Sequence, residues 1–170
     1  MISDALMRLS GTTATAAAAA AGQADILTAG TYYSTYCVDL NSPTNVSGGT
    51  TTSQNRDIGE GEDLYVVFSV GADFVAGTQV TMDVIVADNL AGTTNTLVVG
   101  TVGSKTLAQL VAGAYFACRI NPQLGTAGQR YLMARYTSTG TFTTGGAIFA
   151  DVVTDIYDSK KFYGSGFTVT

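Results

Sequence analysis

The chain has 170 residues, of which 46% are apolar and only 12% charged, with eight Lys+Arg against thirteen Asp+Glu and no histidine. That length fits one domain with its own core. The formal charge of −5 lacks the basic footprint that phosphate neutralisation needs, and anionic lipid would repel it, which argues against direct nucleic-acid and membrane-surface partners. Ordinary domains carry roughly 25% charged residues. Here Thr, Ser, Asn and Gly must cover the surface instead, and a hydroxyl is far easier to desolvate than an ion. Such a surface suits a chain that is largely covered by other protein.

Residues 1–30 differ from the rest in their Ala, Thr and Gly content. Ile2, Leu6 and Leu9 have helical spacing and predict a turn or two of helix, which Gly11-Thr12-Thr13 would end. The alanine run Ala16–Ala21 invites comparison with a signal peptide. The order is wrong for one, because Asp4 precedes Arg8 and Thr12, Thr13 and Thr15 interrupt the apolar stretch. The expectation is an extended N-terminal arm over 1–30, laid across another surface, followed by a single domain over 31–170.

Tyr32 to Leu40 reads as a strand closed by Asn41-Ser42-Pro43. A polar loop follows to Asn55, and 56–63 is the most charged window of the chain. Further strands are predicted at Leu64–Val70, Gln79–Ala87, Leu97–Val102, Gly113–Ile120, Arg130–Thr137, Ala147–Thr154 and Phe167–Thr170. In Gln79–Ala87 the apolar Val80, Met82, Val84 and Val86 alternate with Thr81 and Asp83, which marks one buried and one solvated face. Thr106–Leu110 reads as a single helical turn. Val75–Thr78 and Thr139–Thr141 read as hairpin loops. About eight short strands with Gly-, Asn- and Thr-rich turns predict an all-β fold, a single jelly-roll-like β-sandwich.

The chemistry is sparse. Without histidine there is no His-based triad and no ordinary zinc site. Phosphate-cradling glycine motifs are absent as well. Asp63, Asp73, Asp83, Asp88 and Asp151 are the carboxylates from which a glycosidase pair would have to come, and nothing places two of them together. The acidic run Glu60–Asp63 lacks the alternation of a calcium loop and reads as a solvated turn. Asn45-Val46-Ser47 matches the glycosylation pattern, which matters only in a eukaryotic secretory pathway. Cys37 and Cys118 form no metal-ligand spacing and read as buried free thiols, with a disulfide open in an oxidising medium. No catalytic residue, metal or cofactor is expected. The aromatic groups Tyr32, Tyr33, Tyr36 and Phe162, Tyr163, Phe167 serve either a core or a protein interface.

Four segments carry a family resemblance: the opening Met1-Ile2-Ser3-Asp4-Ala5-Leu6, the charged turn Arg56-Asp57-Ile58-Gly59-Glu60-Gly61-Glu62, the strand Arg130-Tyr131-Leu132 with Arg135-Tyr136, and the tail Tyr163-Gly164-Ser165-Gly166-Phe167. In that order they resemble the cement (decoration) proteins of short-tailed double-stranded DNA bacteriophages, the family of the Bordetella phage cement protein. The resemblance implies a jelly-roll-like sandwich made in the bacterial cytoplasm and mounted on the outside of an icosahedral virion. It implies a homodimer near local twofold axes that staples neighbouring major capsid subunits, without catalysis or cofactor. Arg56 and Asp57 are then expected in structural or interfacial ion pairs, beside the two aromatic groups. A carbohydrate- or receptor-binding sandwich is the alternative, since jelly rolls serve both roles. A secreted pilin-like protein and an enzyme come after it.

Overall fold

The computed structural model describes residues 7–11, 26, 28–40, 63–120, 129–144, 146–154 and 156. In chain order the strands are β1 Arg8–Ser10, β2 Gly30–Tyr33, β3 Val38–Asp39, β4 Tyr65–Val70, β5 Val75–Ala76, β6 Gln79–Ala87, β7 Leu97–Thr106, β8 Tyr115–Arg119, β9 Tyr131–Thr139, β10 Phe142–Thr144 and β11 Ile148–Val153. A short 3-10 turn, Leu107–Gln109, falls on the segment read as one helical turn. The Gln109 side chain reaches back to accept the Thr106 N–H at 3.0 Å.

The strands form two principal antiparallel sheets. Sheet one has the order β1-β11-β4-β8, and sheet two has the order β2-β9-β6-β7, with β3 also on β9. When the short β3, β5 and β10 are set aside, eight strands remain. Their order is first-eighth-third-sixth in one sheet and second-seventh-fourth-fifth in the other. That is two interleaved Greek keys, the jelly roll.

Alternation drives the closure. On β6, Val80, Met82 and Val84 are fully buried and Val86 nearly so, facing Val66, Phe68 and Val70 of β4. Each such side chain contributes about 1.5–3 kcal/mol when taken from water. Phe68 meets Tyr136 of β9 edge-to-face, with ring centroids 6.0 Å apart. The Tyr136 hydroxyl crosses the sandwich and donates to Ser10 Oγ at 2.6 Å. On the flank where β7 and β8 lie side by side, a Cβ on Gly100 would stand 2.8 Å from the Arg119 carbonyl oxygen. Only glycine lets the two edges approach that closely.

Three expectations need correction. The stretch 8–10, of which 8 and 9 read as the end of a helical turn within a separate arm, is edge strand β1: Leu9 is buried in the core and Arg8 faces Asp151 of β11. Ile26 is buried in the same core. The sandwich therefore recruits residues from before position 30: β1 adds a strand at the β11 edge, and Leu9 and Ile26 add side chains to the core. Second, 75–78 and 139–141 are not hairpin loops. They belong to crossovers between the sheets, which run together as the β5–β10 ribbon with Phe74 and Phe142 stacked edge-on at 5.1 Å. Third, Tyr32–Leu40 is two strands on β9. They part at Ser34, whose hydroxyl accepts the Ala134 N–H and donates to the Tyr36 carbonyl. Leu97–Val102 continues to Thr106. The predicted strand at 167–170 lies outside the described residues.

Candidate docking surface

Charge among the described residues is largely paired. Each of the four described arginines is paired with an aspartate: Arg8 with Asp151, Arg119 with Asp63, Arg130 with Asp39 and Arg135 with Asp83. Arg8 Nε donates to Asp151 at 2.9 Å, and its guanidinium lies over the Phe149 ring. Arg130 grips both Asp39 oxygens, at 2.9 and 2.8 Å. This bond, more than any other cause, pushes the guanidinium above its usual value. Asp83 was expected on a solvated face, yet it is only 8% exposed. Arg135 Nη2 donates to it at 2.7 Å, while Arg135 Nε is buried without a partner. The cause is register: β6 is an inner strand, and Arg135 of β9 stands directly opposite Asp83. Of the remaining candidate carboxylates, Asp73 accepts the Ala112 N–H at 2.7 Å, and Asp88 sits in the turn between β6 and β7. The five carboxylates are thus dispersed among separate partners, and the geometry assembles no acid–base pair from them.

Two of these pairs share one end of the sandwich. Asp39 and Asp63 flank 41–62, and Arg119 and Arg130 flank 121–128. Both feet of one connection are therefore ion-paired to both feet of the other. Backbone bonds run in parallel with them, from Leu40 N–H to Arg130 O and from Ile120 N–H to Leu64 O. These pairs are half-exposed, a setting in which water and salt screen an ion pair and leave it little weight.

The tyrosine group divides. Tyr32 points inward against the core, and its hydroxyl is tied to Thr28 Oγ1 at 2.7 Å. Tyr33 faces outward beside Arg135, with its ring against Gly92. Tyr36 is 44% exposed, next to the β1 edge whose Leu9 carbonyl accepts its N–H, and Met7 of the same edge is also exposed. Arg56, Asp57, Phe162, Tyr163 and Phe167 lie outside the described residues, as do Glu60–Glu62 and Asn45-Val46-Ser47.

The outer faces of the two sheets are unlike. On sheet one, Val67, Asp151 and Val153 point outward by register and are nevertheless buried. On sheet two, cross-strand partners form a row of hydroxyls, Thr31, Thr137, Thr81 and Ser104. Thr81 and Ser104 are bonded to each other at 2.7 Å. Thr101, Thr106 and Thr139 add exposed hydroxyls on neighbouring rows. Further along, Ile85 and Met133 are buried on this same outer face. The strand pattern marked Thr81 as outward, but the row itself depends on the pairing of four strands.

Both cysteines are free thiols, Cys118 buried and Cys37 half-buried. Burial above all, with Asp83 second, pushes the Cys118 thiol from 9.0 to about 11, against a backbone hydrogen bond from Val66. Cys37 is raised too, by burial and then by Asp39.

No curated protein matches the chain. The model of the Bbp16 family matches residues 10–152. That span opens at the end of β1 and closes near the end of β11, so it takes in nearly all of the jelly roll. A match of this extent is one to the fold as a whole: the chain belongs to the Bbp16 family.

Proposed function

We propose that this chain is a capsid decoration protein of a bacteriophage. It binds the outside of the shell, staples neighbouring major capsid subunits and acts without turnover. The observation that carries the reading is the pairing of charge among the described residues. With every described arginine held by an aspartate, what remains outward is rich in hydroxyls and sheds water at low cost. The family membership and the jelly roll agree with a phage structural role. Packaged DNA pushes a shell outward, and a self-associated protein that touches several subunits resists this by multivalency, each contact raising the effective concentration of the next. Tyr36 and Met7, exposed at the β1 edge, have the character of interface anchors.

The test is purification of the native particle containing this chain, followed by cryo-electron microscopy and mass spectrometry. Many copies bridging capsid subunits on the outside are expected. Recovery only at one vertex, in the tail or as free protein would overturn the reading and favour receptor or carbohydrate binding.

A further inference from the structure

We infer that β7 is a guarded edge: Lys105 and two bulges keep any further extended strand from pairing along it. The inference stands apart from the proposed function and holds whatever the chain binds. It starts from length. Sheet one ends in β1 and β8; sheet two ends in β7 on one side and in β2 and β3 on the other. Four of these edge strands are short, with three residues in β1, five in β8, four in β2 and two in β3. β7 has ten. A row of unpaired backbone groups is a template for a strand of another chain, and a short edge offers little of it. At about 3.3 Å per residue, β7 presents about 33 Å of such edge. No strand among the described residues pairs with its outer side. β8 approaches it closely at Gly100 and Arg119, yet the two strands belong to different sheets.

Three features of β7 spoil the template. The register with β6 skips Val102 and again Val99, so the strand is bulged twice. Both extra residues serve the core: Val99 is buried in it and Val102 packs against it. Each bulge breaks the spacing of the free groups and adds twist. The second feature is Gly103, whose backbone is left-handed at φ 77° and whose N–H donates to Thr101 Oγ1 at 2.9 Å. That donor is used within the strand. The third is Lys105. It stands directly opposite the fully buried Val80 and so takes a core-facing position, where an alkyl side chain is the ordinary choice. Its ammonium lies 4.9 Å from the centroid of the Phe116 ring on β8. Unlike the four arginines, it is held by no carboxylate among the described residues. A strand added outside β7 would cover this flank and strip water from the ammonium, and an unpaired charge is costly to bury. An inward-pointing charge on an edge strand acts in this way against edge-to-edge pairing.

The test compares Lys105→Val, Lys105→Arg and Phe116→Leu in the full chain. Sedimentation velocity over a range of concentrations reads size, a thermal scan reads stability, and amide exchange reads residues 97–106. Lys105→Val should melt no earlier than the wild type, shift the sedimenting boundary to species larger than those of the wild type, and gain protection along β7. Lys105→Arg keeps the charge and Phe116→Leu keeps the ammonium, so both should sediment as the wild type does. If Lys105→Val fails to fold, Thr101→Val at its exposed site is read in its place; it frees the Gly103 N–H and should produce the same shift. Whichever variant is read, a size equal to that of the wild type at every concentration overturns the inference. So does a Lys105→Val protein that melts early, as Phe116→Leu then does too, and gains no protection on β7: Lys105 would then only brace the flank through the Phe116 ring.

Discussion

The outer face of sheet one and that of sheet two are made from similar strands, but they do different work. On sheet one the β4–β11 part is closed over its outward residues: Val67 is 4% exposed, and Asp151 is held by Arg8, whose guanidinium lies over the Phe149 ring, while Tyr115 and Ala117 of β8 stay exposed. On sheet two only one half is closed, around Ile85 and Met133, and the other half presents hydroxyls. The comparison teaches that outward direction in a strand does not make a surface. A residue becomes surface only where nothing else in the fold covers it.

The largest expected effect separates the two faces directly. Val67→Asp buries a carboxylate opposite Asp151 and should cost about 4 kcal/mol or more, since an unpaired buried charge is among the severest lesions. Thr81→Asp, the matching change on sheet two, should stay within about 0.5 kcal/mol. Denaturant titration of both variants checks this, and equal losses would break the distinction.

Next in size is the loss of the ion pair on the closed face. Asp151→Ala leaves Arg8 mostly buried without its aspartate and should cost about 3 kcal/mol. Asp63→Ala, which frees the exposed Arg119, should cost no more than about 1 kcal/mol. The thermal midpoints of the two variants report the difference.

Tyr136→Phe sharpens the comparison from within. It removes the bond to Ser10 that ties β1 of the closed sheet to β9 of the open one. Loss of this buried hydrogen bond should cost about 1 kcal/mol. Hydrogen exchange should show the loss first at β1, and unchanged protection there would mean that β11 alone holds it.

The smallest effect is in pH. The Cys118 thiol stands at about 11 instead of 9.0, so above its ordinary value the unfolded chain releases this proton and the folded chain keeps it. Stability contributed by this group is therefore complete below about 9 and declines as pH rises towards about 11. The decline should be shallower in Cys118→Ala. A thiol reagent at pH 8 should label Cys37 before Cys118, because Cys118 is buried.

Much of the fold was legible in the residues. Six of the strands read from alternation and turn chemistry appear within a few residues of their expected ends, and Val80, Met82, Val84 and Val86 face the core as their period-two spacing requires. Local pattern failed where the decisive neighbour is distant in sequence. Strand β1 looked like part of an arm because three residues carry no period, and its partner lies 143 positions away. Asp83 looked solvated because its strand reads polar there, and only the pairing with β9 shows that Arg135 covers it.

The sequence by itself determined that this is an all-β chain, poor in charge, without the histidine chemistry of common enzymes, and covered by hydroxyls in place of ions. Those properties are sums over residues or periods along a strand, and they need no partner to be read. Only the tertiary structure decided the jelly-roll order, the assignment of each described arginine to its aspartate, and which outward residues of the two sheets are covered. Those depend on long-range register, where a shift of one residue turns every side chain to the opposite face.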